Sequence, residues 1–293
     1  MSKFTHYKAA IRTAFYGHLT AFKLEYHIKR RPTSRVMHFG MDHAVERYTR
    51  ICRTLLDHIP NPESLKDTVV SEIGCGDCFA AADMMLGLGA RHVHLVEFLP
   101  LELSKENQQA LFALVGNDNL PNRGDLLDTS ATVQLNPKYA SYHQGRLEAI
   151  RLPEKVDFLY SFDVLEHVED LDGFFAYCGE VVKPGGVMVH KFDLSGHGLF
   201  EDPMPPLDFQ TFPTWLFNLI FLKYQRAVGH FADEFIAVMG KHGFTIEQTI
   251  PIRIAEPQYL EEIWPHLRRE ARERNRKTVE LLDLVVISRR IDV

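Results

Sequence analysis

The chain reads as an α/β protein in which helices cover both faces of a mostly parallel sheet. Two observations carry that expectation. From Thr68 onward, short apolar runs alternate with stretches of helical periodicity, the pattern of strands joined by crossover helices. The first run, Val69–Ile73, passes directly into Gly74-Cys75-Gly76, and the second, Val93–Val96, ends on an acid, Glu97. Two glycines at a strand-to-helix turn let the backbone approach a ligand closely.

The elements follow in order. Phe4, Tyr7, Ile11, Phe15, Leu19, Phe22 and Tyr26 recur at steps of three and four, one apolar stripe down a first helix. Such a stripe packs on the parent domain or on a second subunit, so a homodimer is open, and a membrane-surface role is a rival. Arg30-Arg31-Pro32-Thr33-Ser34 breaks this helix. A second helix covers about Asp42 to Ile59, with Val45, Tyr48, Ile51, Leu55 and Ile59 inward, and Asn61-Pro62-Glu63-Ser64 links it to the first strand. Residues 1–64 are thus expected to form an N-terminal helical extension or lid, and residues 65–293 the main domain.

In that domain the strands are expected at Thr68–Ile73, Val93–Glu97, Tyr139–His143, Asp157–Phe162 and Val187–Phe192, a sixth from Phe244, and a last at Leu281–Ser288. Helices fall at Ala80–Leu88, Leu103–Leu114, Leu171–Val182 and Ala232–His242, the last capped by Gly243. Gly116 to Pro137 reads as polar turns, and Lys183-Pro184-Gly185-Gly186 as the turn before strand five. The stretch 195–230 breaks the rhythm with four prolines, many aromatics and an apolar helix around Trp215–Tyr224. Long irregular insertions of this kind carry lid or binding roles.

Composition narrows the class. At 293 residues, 45% hydrophobic and 25% charged, the chain is an ordinary globular one. A net charge of −6 argues against nucleic acid, which calls for a basic footprint. Arg268-Arg269-Glu270-Ala271-Arg272-Glu273-Arg274 interleaves its charges and reads as a solvated helix face. The longest apolar run, Trp215–Leu222, is too short to span a bilayer. No secretory signal is visible, although eight Lys or Arg against one acid in residues 1–35 faintly resemble an organelle transit peptide. Four cysteines indicate a reducing, cytoplasmic setting, with Cys75 and Cys78 spaced by chance inside the glycine turn.

Glu97 follows Gly76 by 21 residues, about where a Rossmann-like unit carries its ribose-binding carboxylate. An adenosine-containing cofactor is therefore expected. A dinucleotide fingerprint needs a third glycine, where this chain has Phe79, and a pyrophosphate would be repelled by Glu72 and Asp77. Those acids suit a cationic ligand instead. The Glu-x-Gly-x-Gly pattern resembles motif I of the class I S-adenosylmethionine-dependent methyltransferases, whose cofactor carries a sulfonium and an ammonium. Asp157–Val168, with Leu165-Glu166-His167-Val168, resembles that family's fourth-strand motif as it occurs in members acting on small molecules. Val181–Val187 resembles the turn before strand five.

The resemblance implies a Rossmann-like seven-stranded sheet with one antiparallel strand. It implies that Gly74, Cys75 and Gly76 pass the methionine part of S-adenosyl-L-methionine, with Glu72 helping to fix the ammonium. Glu97 would accept both ribose hydroxyls, Phe98 would pack on the adenine, and Arg146 and Leu147 would lie at its edge. Many family members place an Asp there for the adenine amino group. Arg146 cannot accept a hydrogen bond, so that contact falls to Gln144 or a backbone carbonyl. Asp163 would face the sulfonium.

Methyl transfer is an in-line displacement in which positioning does much of the work. A hydroxyl acceptor also needs its proton removed, and histidine is the usual base near neutral pH. His190–His197 resembles a His-x-x-Asp-x-x-x-His signature of some sugar and natural-product methyltransferases. It makes His197 or His190 the expected base, with Asp193 orienting an imidazole and His167 a further candidate. Phe209 and Trp215 would line the acceptor pocket. His190, Asp193 and His197, with Glu201 or Asp202, could instead hold a divalent metal, though their spacing is no recognised metal motif. The expected activity is methyl transfer to an oxygen of a small molecule or sugar. The rivals are transfer to a small amine and a cofactor-binding partner subunit without turnover.

Overall fold

A computed structural model of the chain describes residues 40–76, 78–98, 103–121, 123–128, 134–196, 205–213, 215 and 229–291. The first expected helix, Asp77, His197 and most of the 195–230 insertion lie outside these residues.

Helix α1 (Met41–His58) buries Ala44, Tyr48, Ile51, Cys52 and Leu55, a single stripe at helical spacing. That stripe packs on α2 (Ala80–Gly87) and α3 (Lys105–Gly116). Tyr48, Ile51, Leu55 and Ile59 are inward as expected, while Val45 is half-buried. The helix joins the main core rather than standing apart from it. Each fully buried Leu or Ile contributes about 1.5–3 kcal/mol. The linker after α1 is a 3-10 turn, Pro62–Leu65, in which the Asn61 side chain accepts from the Glu63 amide.

The sheet is built from β1 (Val69–Ile73), β2 (His92–Glu97), β5 (Ala140–Gln144), β6 (Val156–Phe162), β7 (Val182–Asp193), β8 (Phe244–Ile254) and β9 (Leu281–Arg290). Their order is β5-β2-β1-β6-β7-β9-β8. The first five strands are parallel, and β9 enters antiparallel between β7 and β8. This is the Rossmann-like seven-stranded α/β sheet expected from the sequence. All five residues of β1 are buried, as a central parallel strand covered on both faces requires. Pro251 is tolerated because β8 is an edge strand, where a missing amide donor costs no ladder bond.

Helices α1, α2 and α3 cover one face of the sheet, and α4 (Leu171–Val181) and α5 (Ala232–Lys241) cover the other. Three details differ from the sequence expectation. Residues 183–186 lie within β7, as a bulge between the pairs Val156–Val182 and Phe158–Val187, because the strand resumes the same neighbour after the interruption. The polar stretch before β5 contains a short antiparallel pair, β3 (Leu127–Asp128) and β4 (Gln134–Leu135).

Between β8 and β9 lie three short helices that sequence reading did not anticipate: α6 (Pro257–Ile263), α7 (Arg269–Arg272) and α8 (Arg276–Val279). They close a small core with Leu207, Phe231 and Leu282. The arginine run is accordingly only partly a solvated face. Arg269 pairs with Glu273 in the open, whereas Arg268 and Arg274 stack on Phe231.

Candidate active site

The C-terminal edge of the parallel strands is where open α/β sheets bind ligands, and the expected cofactor residues meet there. Gly74 ends β1 with φ +74°, and its amide donates to the Val96 carbonyl, 2.8 Å away. A Cβ on Gly74 would stand 2.3 Å from Cγ2 of Val164, so both conformation and space demand glycine. The amide of Gly76, φ +61°, donates to Oε2 of Glu97 at 3.0 Å. The Phe98 amide donates to Oε1 of the same carboxylate at 2.8 Å. Two backbone donors thus hold the β2 acid over the glycine turn. Cys75 is buried between the two glycines.

Beneath the turn, Glu72 is buried and accepts a hydrogen bond of 2.8 Å from the Tyr160 hydroxyl. Burial pushes its carboxyl up to about 8, opposed by the Tyr160 bond and reinforced by the charge of Glu97. Near neutral pH this acid is therefore mainly protonated, and a nearby cation would ionise it. Phe98 is 38% exposed, with the Arg146 guanidinium 5.9 Å from its ring centre. Leu147 is half-buried against the α4-side core. From α1, the Tyr48 hydroxyl lies within 3.5 Å of where a Gly76 Cβ would be. The helix therefore flanks the turn.

Asp163 follows β6 in a left-handed conformation, φ +54°. Its carboxylate pairs with Lys191 at 2.5 Å and with Arg47 of α1 at 3.1 Å. Lys191 reaches on to Asp283, and Arg253 joins Asp283 to Asp193. Asp193 also accepts from the amide and hydroxyl of Ser195, at 3.0 and 2.6 Å. These contacts occupy the acid that was expected to orient an imidazole.

His190 requires a correction. Its side chain is fully buried, with Nδ1 2.8 Å from the Ser161 hydroxyl and the ring packed by Phe174, Phe175 and Phe192. Strand alternation is the cause. Met188, His190 and Phe192 face α4, while Lys191 and Asp193 face the site. An imidazole enclosed this way cannot reach an acceptor held at the strand edge, so His190 is not the base. Burial also pulls its pKa down to about 3. The unfolded chain then binds a proton below about pH 6.5 that the folded chain refuses, so stability falls with decreasing pH from there. A loss of about 2 kcal/mol is expected between pH 6.5 and 5. Urea unfolding at both pH values checks it, and His190→Gln should lessen that dependence, leaving the part due to His94, whose pKa burial also pulls down.

His167 is exposed, four residues beyond Asp163. Phe209 is fully buried, and Trp215 is 69% exposed. A wholly enclosed Phe209 offers no surface to an acceptor, a second correction. Arg47, Lys191 and Arg253 were missed by sequence reading. For Lys191 the parity of β7 was the available signal, since Lys191 and Asp193 share a face that His190 cannot share. Among the described residues, no group of three or more His, Cys, Asp or Glu is arranged to hold a metal ion. No helix among them is long and apolar enough to cross a membrane.

The family model described as a methyltransferase domain matches residues 71–190, the span from β1 to β7 that carries this geometry. That match marks residues 71–190, less than half of the chain, as a methyltransferase domain, with S-adenosylmethionine as its cofactor. A 35-residue stretch is 49% identical to the ubiquinone biosynthesis O-methyltransferase of Mesorhizobium japonicum. That stretch spans 12% of this chain and 14% of the relative.

Among solved structures, magnesium protoporphyrin IX methyltransferase of Synechocystis PCC 6803, with bound SAH, is 14% identical with a TM-score of 0.46. The alignment covers 96% of this chain and 99% of that one. An S-adenosylmethionine-dependent methyltransferase of Mesorhizobium loti is 19% identical with a TM-score of 0.42, covering 86% of this chain and all of the other.

Proposed function

We propose that this methyltransferase acts on an oxygen of a small molecule or sugar in the cytoplasm. The observation that carries the cofactor assignment to individual residues is the Glu97 carboxylate, held by the Gly76 and Phe98 amides beside a turn without side chains. In this reading Glu97 takes the ribose hydroxyls and Gly74, Cys75 and Gly76 border the methionine chain. Glu72 receives the ammonium, Phe98, Arg146 and Leu147 border the adenine, and Asp163 stands toward the sulfonium. The short likeness to an O-methyltransferase favours oxygen over nitrogen as the acceptor. Among the described residues, the base role falls to His167, exposed four residues beyond Asp163. Four buried cysteines, none of them in a disulfide, suit a reducing compartment.

The deciding experiment pairs calorimetry with S-adenosylmethionine and a labelled-methyl assay over metabolite extracts. Label appearing in ester or ether linkages supports the proposal. Label in amines would move the assignment to nitrogen, and binding without labelling would leave a non-catalytic subunit. Replacing His167 should depress oxygen transfer far more than cofactor binding.

Glu72 adds a measurable linkage. Its carboxyl is mainly protonated at pH 7, and the cofactor's ammonium favours the ionised form. Cofactor binding at pH 7 should therefore release close to one proton, read from the dependence of binding heat on buffer ionisation enthalpy. Release should fade above pH 9, where Glu72 is already ionised, and vanish in Glu72→Gln. Proton release unchanged in that variant would remove Glu72 from the ammonium site.

A further inference from the structure

Beside the cofactor turn, six charged side chains form a strip along the C-terminal edge of the sheet. It runs Arg47, Asp163, Lys191, Asp283, Arg253, Asp193, alternating in sign and joining α1 to β7, β9 and β8. Its position is fixed by Asp163, whose neighbour Val164 packs on Gly74. The charges sum to zero, but they are not equally placed. The side chains of Asp163, Asp283 and Asp193 are 15%, 13% and 20% exposed and that of Lys191 17%, whereas those of Arg47 and Arg253 are 30% and 45% exposed. The carboxylates lie further inward and the guanidiniums outward, so the most exposed groups of the strip are cationic on a chain of net charge −6.

The guanidiniums also keep donors in reserve. A guanidinium has five N–H groups in a planar fork suited to carboxylate or phosphate. Arg47 donates through one nitrogen, Nη2, to Asp163. Arg253 uses Nε and Nη2 on Asp283, Asp193 and Ser195, leaving Nη1. The inner carboxylates hold both forks in place, which lowers the entropic cost of engaging a ligand.

We propose that Arg47 and Arg253 bind an oxyanion, a carboxylate or phosphate carried by the methyl acceptor in addition to the oxygen that is methylated. The acceptor is then an anionic small molecule, anchored by its charged group at the strip while the acceptor oxygen faces the cofactor. The inference rests on the methyltransferase reading of the neighbouring turn. Lys191, held between Asp163 and Asp283, sets the positions of both acids without needing to touch the ligand.

The test uses the full-length protein loaded with S-adenosylhomocysteine and titrated with benzoate, inorganic phosphate and, as a neutral counterpart of benzoate, benzamide. At least one anion should bind, with benzoate favoured over benzamide if the fork reads carboxylate, and binding should weaken as salt rises. Arg47→Gln and Arg253→Gln should each weaken anion binding about ten-fold or more. Arg47→Lys, which keeps the charge and loses the fork, should fall between, and guards against a folding defect in Arg47→Gln. Arg53→Gln, on the same helix and paired with exposed Asp118, should change nothing.

The proposal is overturned if neither anion binds, if benzamide binds as well as benzoate and phosphate does not bind, or if the arginine variants bind anions undiminished. It is also overturned if Arg47→Gln weakens S-adenosylhomocysteine and leaves the anions unaffected. Failure of the unaltered protein to bind S-adenosylhomocysteine at all is a separate result, and it strikes the reading of the turn.

Discussion

Gly74→Ala should be the most damaging single-methyl change in this chain. The residue sits at φ +74°, where a Cβ costs about 1–2 kcal/mol. The added carbon would stand 2.3 Å from Cγ2 and 2.9 Å from Cγ1 of Val164, and forced repacking of this kind costs about 1–3 kcal/mol. Together they predict a loss of roughly 2–5 kcal/mol, measured as a lower urea midpoint, with S-adenosylhomocysteine binding lost or greatly weakened. Adding Val164→Ala should relieve the contact but not the backbone strain, so the double variant should recover part of the stability. A Gly74→Ala protein with the parental midpoint and parental cofactor affinity would show that the turn is not built as described.

Glu97→Ala should cost the most affinity while leaving the chain folded. Two hydroxyl hydrogen bonds to a carboxylate are worth about 1.5–3 kcal/mol each, so cofactor affinity should fall about 100-fold or more. The variant also removes the acceptor of the Gly76 and Phe98 amides, loosening the turn that Glu97 steadies. Glu97→Gln keeps the shape but turns one acceptor into a donor, and should lie between. A cofactor analogue lacking both ribose hydroxyls separates the two effects. It should bind the parent weakly and lose little more in Glu97→Ala. If the analogue and S-adenosylhomocysteine lose equally, Glu97 acts only through the turn.

Much of the sheet was legible because its signals are local. Val69–Ile73, Val93–Glu97 and Asp157–Phe162 are short apolar runs bounded by turn residues, and each became a strand within a residue or two of its expected ends. The three helices between β8 and β9 were not legible. Each is seven residues or fewer, too short for a hydrophobic period to show, and they persist by closing the core around Leu260, Ile263 and Phe231. The arginine run misled for a related reason. Arg268 and Arg274 lie on Phe231, an aromatic distant in sequence that no helical-wheel pattern reveals.

The site divides along the same line. Glycines at a strand end and an acid at the next strand end are consequences of chain order, so Gly74, Gly76 and Glu97 could be named from spacing. Which face of a strand a residue occupies depends on its neighbours in space. That is why His190, adjacent to the site in sequence, is a core residue, and why Lys191 looks toward the site instead.

The sequence by itself determined the alternating α/β order, the glycine turn and its spaced acid, because each depends on contacts between residues close in the chain. Only the tertiary structure decided that Glu72 is buried and mainly protonated, that α1 brings Arg47 and Tyr48 beside the turn, and that six charges from separate elements meet at one edge. Those properties follow from burial and long-range charge pairing, which exist only once distant segments are brought within a few ångströms of one another.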